Sequence, residues 1–311
     1  MRSRCSCCGA AAEQDISCHS RTVRRRIPIV IALLTSANTT MAIDLAPLWD
    51  FGKPAASEQR FRAALQAASG DDALILQTQI ARTYGLRKDF ATAQEILKSI
   101  APRVPAAGAE ARARYALELG RTYASAAHPP ELQTAESKRL ARSSYEDALE
   151  LARRAHLDGL AIDTIHMLAF VDTAAADQLK WGREALAVVE ASSQPDARKW
   201  EASIRNNIGY ALHQLGRFGE ALVQFKQAVV LRERGTDAEA IRSAHWMVAW
   251  TLRALGRMDE ALETQLRLER ECAAANAPDR YVYEELEILY RAKGDESRAS
   301  HYAVLRKAVA G

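Results

Sequence analysis

Leu215-Gly216-Arg217-Phe218-Gly219-Glu220-Ala221-Leu222 returns forty residues later as Leu255-Gly256-Arg257-Met258-Asp259-Glu260-Ala261-Leu262. Self-similarity at a fixed spacing marks an array of like supersecondary units, each unable to bury its apolar face alone. The residues around the first copy show what the unit is. Ile208, Leu212 and Leu215 precede Gly216 at helical spacing, and Leu222 and Phe225 follow it. One helix therefore ends and another begins at the glycine, which takes the left-handed conformation at little cost. Small residues stand where the two helices must approach: Gly209 on the first, Ala221 and Ala228 on the second, beside the bulky Tyr210 and Phe225. A larger side chain at any of the three small positions would push the axes apart.

This register resembles the tetratricopeptide repeat, a helix-turn-helix unit. The best copy is Asn207-Ile208-Gly209, Leu212, Gly216, Ala221, Phe225 and Ala228. The next keeps Val248-Ala249, Leu252, Gly256 and Ala261 but carries Gln265 and Leu268 where Phe and Ala are expected. Leu286, Tyr290, Gly294 and Ala299 continue the series, with Glu287 in place of the small residue of the first helix. Upstream, Ile80-Ala81, Tyr84, Phe90, Ala93 and Leu97 form another copy with Lys88 in the glycine place. Leu119-Gly120 and Tyr123 open a unit whose second helix carries Ala141, Tyr145 and Ala148 after an insertion containing Pro129-Pro130. A degenerate unit lies between, with Leu168-Ala169 in its first helix and Trp181 to Val189 in its second. Tyr84, Tyr123 and Phe225 are read as core.

Taking Ala81, Gly120, Ala169, Gly209, Ala249 and Glu287 as equivalent gives spacings of 39, 49, 40, 40 and 38, the long one containing the insertion. Six hairpins are expected. Ser57 to Ala68, with Phe61, Ala64 and Leu65, resembles a lone second helix that caps the N-terminal end. The resemblance, to the long-period variety of the family found in motor light chains, cell-polarity adaptors and many bacterial regulators, covers residues 57–309. It implies an all-α right-handed superhelix, a solenoid in which each hairpin touches only its neighbours. Three regions follow: an N-terminal extension at 1–40, a linker at 41–56 and the repeat domain at 57–311.

Composition agrees with a helical repeat, with 26% charged residues, 48% hydrophobic residues and nine prolines in 311. The extension is different. It holds Cys5, Cys7, Cys8 and Cys18 and a local charge of +4, and without it the remainder has 36 basic against 37 acidic residues. Three readings of it stand side by side. Arg24-Arg25-Arg26 followed by the apolar run Ile27 to Ala37 has the ingredients of an export signal. Alternatively it is a tail, or translation begins at Met41, which places the protein in the cytoplasm. The third is a metal site of the four cysteines and His19, whose spacing fits no pair of Cys-x-x-Cys knuckles. The eleven-residue run is too short to span a bilayer. Cys272 reads as a small apolar residue on a packed helix.

Chemistry-bearing motifs are missing from the sequence: no His-Glu-x-x-His, Gly-x-Ser-x-Gly, phosphate loop or Gly-x-Gly-x-x-Gly occurs, and the seven histidines are scattered. No catalysis, cofactor or metal is expected. Nucleic acid is disfavoured because the electrically balanced repeat region offers no sustained basic stripe to neutralise phosphates. What remains is a protein or peptide partner. In the family the first helix of each hairpin lines the concave face. Carried over position by position, the resemblance points to Arg82, Arg121, Asn206, Asn207, Tyr210, His213, Trp246, Trp250 and Arg253, joined by His166 and Phe170 of the degenerate unit.

The physical reasons differ. Asn206 and Asn207 offer a donor and an acceptor to a peptide backbone, or else cap and solvate a helix. Trp246 and Trp250 lie one turn apart on one face, as binding anchors or as packing between hairpins. Arg82, Arg121 and Arg253 would grip carboxylates in forked geometry and so favour an acidic partner, unless a neighbouring Glu already holds them. The expectation is a scaffold or adaptor, with a peptide-sensing regulatory module as the alternative.

Overall fold

The computed structural model describes residues 43–309, and among them there is no strand. A short 3-10 turn at Ala46–Leu48 precedes α1 (Pro54–Leu65), which leads into six helical hairpins. These are α2 (Gly70–Leu86) with α3 (Phe90–Ile100), α4 (Ala109–Tyr123) with α5 (Ala135–Arg154), and α6 (Asp158–Val171) with α7 (Ala175–Ala191). After the one-turn helix α8 (Pro195–Arg198) come α9 (Glu201–Gln214) with α10 (Phe218–Arg232), α11 (Ala238–Ala254) with α12 (Met258–Ala274), and α13 (Arg280–Ala292) with α14 (Glu296–Val309). The fold is all-α and superhelical. No helix among the described residues is long and apolar enough to cross a membrane.

The turns within hairpins are three residues long except in the second, where the insertion lengthens the connection. Lys88, Gly216, Gly256 and Gly294 occupy equivalent places and share positive φ values of 65°, 72°, 74° and 75°. The amide of the residue after the left-handed one closes each of these turns: Asp89 N donates to Tyr84 O, Arg217 to Leu212, Arg257 to Leu252 and Asp295 to Tyr290. This long backbone bond satisfies a helix-end carbonyl that would otherwise lack a partner. Lysine at 88 fills a place where glycine avoids a cost of about 1–2 kcal/mol.

Close approach of the two helices follows a rule visible across the hairpins. A Cβ on Gly209 would lie 2.7 Å from the Phe225 ring, sixteen residues on, and one on Gly120 would lie 2.5 Å from Tyr145. Glycine thus stands where the partner is aromatic. Where alanine replaces it, the residue sixteen positions later is smaller: Leu97 for Ala81, Gln265 for Ala249 and Ala185 for Ala169. Phe225, Tyr145, Leu97 and Gln265 are all fully buried. In the last hairpin Glu287 is 8% exposed and accepts from Arg291 at 3.0 Å, so an ion pair stands where a small residue was expected.

Packing extends beyond the boundaries read from sequence. Residues 43–53 pack on the first hairpin rather than running free as a linker. Trp49 donates from Nε1 to Gln79 at 3.1 Å, stacks on Phe51 at 4.6 Å and meets the edge of Phe61 at 4.9 Å. Pro54 then opens α1, as suits a residue with no amide hydrogen to satisfy. The inserted segment between α4 and α5 is anchored by His128, which stacks on Phe90 at 3.7 Å and binds Ser125 and Thr122. Tyr84 is half-buried, packs against the core of α1 and the first hairpin, and donates to Glu58 on α1 at 2.9 Å, so it also fastens the capping helix. Cys272 is 4% exposed on α12. The cysteine cluster, the signal-like run and the Met41 start all lie outside the described residues.

Candidate functional site

One position per hairpin organises the face made by the first helices. It directly follows the small packing residue and holds Arg82, Arg121, Phe170, Tyr210, Trp250 and Ile288 in chain order. Cavities on this face are lined jointly by α2, α4 and α6, or by α6, α7 and α9, so it is the recessed side of the array. The row is cationic in the first two hairpins and aromatic in the next three.

The cationic part is already matched in charge. Arg121 donates to Glu118 and to Asp163 on α6, both at 2.5 Å, while Arg82 lies 3.6 and 3.7 Å from the same two carboxylates. Arg82 also sits 5.4 Å from the centroids of both Trp49 and Phe51. The side chains of Glu118, Arg121 and Asp163 are only 2%, 11% and 13% exposed. Burial pushes the Asp163 carboxyl up, but Arg121 and Arg82 outweigh it and hold the group at about 2. Burial likewise opposes the charge on Arg121, and Asp163 with Glu118 overcomes it and holds that guanidinium above its ordinary range. For Arg82 burial and the neighbouring Arg121 prevail and push it down. Arg253 forks onto the buried Glu285 of the next hairpin at 2.7 and 2.8 Å. All three arginines expected to grip an acidic ligand therefore hold carboxylates of the chain itself.

The aromatic part is a continuous stack. Trp250 lies 3.4 Å from His213, 5.7 Å from Trp246 and 6.0 Å from Tyr210, all near-parallel, and Tyr281 meets Trp246 edge-on at 6.2 Å. The two tryptophans thus pack between hairpins, while Tyr210 and Tyr281 at the ends remain 42% and 55% exposed. His213 also takes the edge of Phe218 at 4.7 Å. Burial first, then Arg253, pulls its pKa down to about 4, so the ring is neutral near pH 7. Tyr281 was missed from sequence; its signal is that it precedes Glu287 by the same six positions by which Asp163 precedes Ala169.

The third and fourth hairpins form the junction. Asn207 Nδ2 lies 3.2 Å from His166 Nδ1, and His166 meets the edge of Phe170 at 5.0 Å and a tilted Trp200 at 5.7 Å. Burial lowers the His166 pKa against the pull of Asp163, leaving it neutral. Asn206 is half-buried and forms no side-chain hydrogen bond among the described residues, so its amide is available. Cavities flank the His166–Phe170 pair. One of about 250 Å³ reaches Arg82, Glu118 and Arg121, and one of about 220 Å³ reaches Trp181, Ala185 and Tyr210. Trp181 donates to Asp172 at 2.9 Å, which fixes its ring. Neither Trp181 nor Trp200 was expected to face a cavity, since each lies outside the helix stretches whose register could be read.

Residues 200–270 match the tetratricopeptide repeat family. No curated protein sequence matches the chain. Among solved structures it is similar to a signal transduction ATPase with numerous domains that carries a tetratricopeptide repeat sensor, from Pyrococcus horikoshii. The TM-score is 0.63 at 14% identity, over 83% of this chain and 39% of that one. The present chain therefore spans about two-fifths of that protein. BtubC from P. vanneervenii gives 0.55 at 14% identity, over 76% of this chain and 94% of that one. A Rap protein complexed with competence and sporulation factor gives 0.50 at 18%, over 81% and 69%. Such identities show a shared fold. The chain is a helical-repeat protein whose fourth and fifth hairpins match the tetratricopeptide repeat.

Proposed function

We propose that the recessed face binds an extended peptide or a segment of a partner protein, without catalysis, and that recognition centres on the third to sixth hairpins. The observation that carries this is the exposed aromatic set of Phe170 and Tyr210, from the row, and Tyr281, from outside it, with the unengaged amide of Asn206 and the Trp250–Trp246 stack between them. Rigid aromatic rings give contact area at low entropic cost, and an amide meets backbone groups that lose water on binding. Because Arg82, Arg121 and Arg253 are matched internally, the segment recognised here is neutral rather than acidic. The likeness to a Rap protein solved with a bound factor, and to a protein whose repeats are named a sensor, supports ligand binding on this scaffold.

Display of random octapeptides against the full chain tests the proposal. Peptides selected on the wild type should lose at least about tenfold in affinity on Tyr210→Glu and keep it on Val230→Glu, whose side chain is 54% exposed on the second helix of the same hairpin. Equal loss on both, or on neither, overturns it. A sensing role is the second reading, since repeats that touch only their neighbours change curvature when a ligand bridges them. Small-angle scattering with a selected peptide separates the two: a sensor changes its dimensions and a passive adaptor does not.

A further inference from the structure

Among the three hairpins in which alanine replaces the glycine, the third carries the least volume on the facing helix. Gly120 and Gly209 stand against aromatic rings, and Ala81 is matched by Leu97, but Ala169 is matched only by Ala185. Both members are small. The missing volume appears as the cavity of about 220 Å³, which both alanines line and which opens to the recessed face beside Phe170 and Tyr210. The register is sound here, because the three-residue turn and the sixteen-residue interval equal those of the first, fourth and fifth hairpins. Large-to-small changes in a packed interface cost stability in proportion to the space they leave. The chain forgoes that stability in the third hairpin, the first of the four that form the proposed recognition face.

The lining says what fits. Trp181, Ile165 and Ile204 make the walls, and no Asp, Glu, Lys or Arg reaches the space. Its polar members, His166, Asn207 and Gln178, are uncharged, and His166 is kept so by burial. A charged group entering would lose its water without a counter-charge. We propose that this cavity is the anchor pocket of the groove, taking one bulky uncharged side chain, aromatic or long aliphatic, from the bound segment. The proposal rests on the peptide-binding reading above.

Ala185→Leu tests it by restoring the alanine–leucine pairing of the first hairpin. Filling real space should raise the melting temperature by a few degrees, so loss of binding cannot be blamed on unfolding. Indole, followed by saturation-transfer NMR, should bind the wild type and lose at least about tenfold in affinity on the variant. In a positional-scanning octapeptide library the wild type should select Trp, Phe, Leu or Met at one position, and the variant should lose that selection. A lowered melting temperature would show that the space is not there and would overturn the pocket. Unchanged selection on a stabilised variant would also overturn it, while leaving groove binding intact. Indole binding with no peptide selected on either protein would make the pocket a small-molecule site and overturn its role in peptide anchoring. Unchanged indole binding on the variant would show that the aromatic group sits elsewhere.

Discussion

Arg121 and Tyr210 occupy the same position in the second and fourth hairpins, yet one lies in a buried ionic cluster and the other stands at the exposed end of an aromatic stack. The backbone places both side chains alike. What differs is the neighbouring repeat: α6 meets Arg121 with Asp163, whereas α11 meets Tyr210 with the Trp250 ring. In a solenoid the energy of a residue is set mainly by its own hairpin and those close to it, so a single structural position can hold the array together at one end and face a ligand at the other.

The largest effect should come from Arg121→Met. It leaves Glu118 and Asp163 with only the distant Arg82, at 3.6 and 3.7 Å, and should cost about 3 kcal/mol in denaturant unfolding. A loss below about 1 kcal/mol would mean the cluster is solvated and available to a ligand.

Acid should separate the two regions next. The Asp163 carboxyl is depressed, so the folded state favours its ionised form. Its contribution is complete above the ordinary value of 3.8 and is lost as the pH falls toward about 2. A shift of this size is worth about 2 kcal/mol. The His213 imidazole is depressed too, which favours the neutral ring, and its contribution is complete above 6.5 and lost as the pH falls toward about 4. Hydrogen exchange corrected for intrinsic rates should therefore show α9, α11 and, through the depressed His166, α6 loosening as the pH falls below 6.5, with a further loss in α4 and α6 only below 4. Simultaneous loosening would contradict the division.

A smaller gain is expected from Gln265→Leu. Both polar atoms of this fully buried amide lack partners, and Ala249 opposite matches the alanine that accepts Leu97 in the first hairpin. The variant should be more stable by about 1 kcal/mol. Gln265→Phe should do worse, because the aromatic ring requires glycine on the facing helix. The smallest effect belongs to Tyr210→Ala, whose half-exposed ring should cost under about 1 kcal/mol of stability while weakening peptide binding.

The helical-repeat fold could be read from residues that pack, because packing at a fixed interval leaves a periodic trace. The six hairpins, the capping helix and the left-handed turn at Lys88 all follow from the spacing of small and large residues. The candidate site was read less completely for the same reason. A period shows that Arg121 faces the groove, but its carboxylate partner Asp163 lies 42 residues away on another hairpin. Trp246 and Trp250 were correctly placed on one face, yet the sequence did not show that they stack with His213 and Tyr210 of the preceding hairpin. The cavity beside Ala169 was invisible, since it consists of volume that the degenerate unit lacks.

The salt dependence of peptide affinity bears on the whole division between an internally matched ionic region and an exposed aromatic one. For an octapeptide selected on the wild type, the dissociation constant should change by less than about twofold between ~0.05 and ~0.5 M sodium chloride, because the arginines are occupied and the contacts are uncharged. A weakening of about tenfold or more over that range would show that Arg82, Arg121 or Arg253 meets the ligand directly, and would contradict the account.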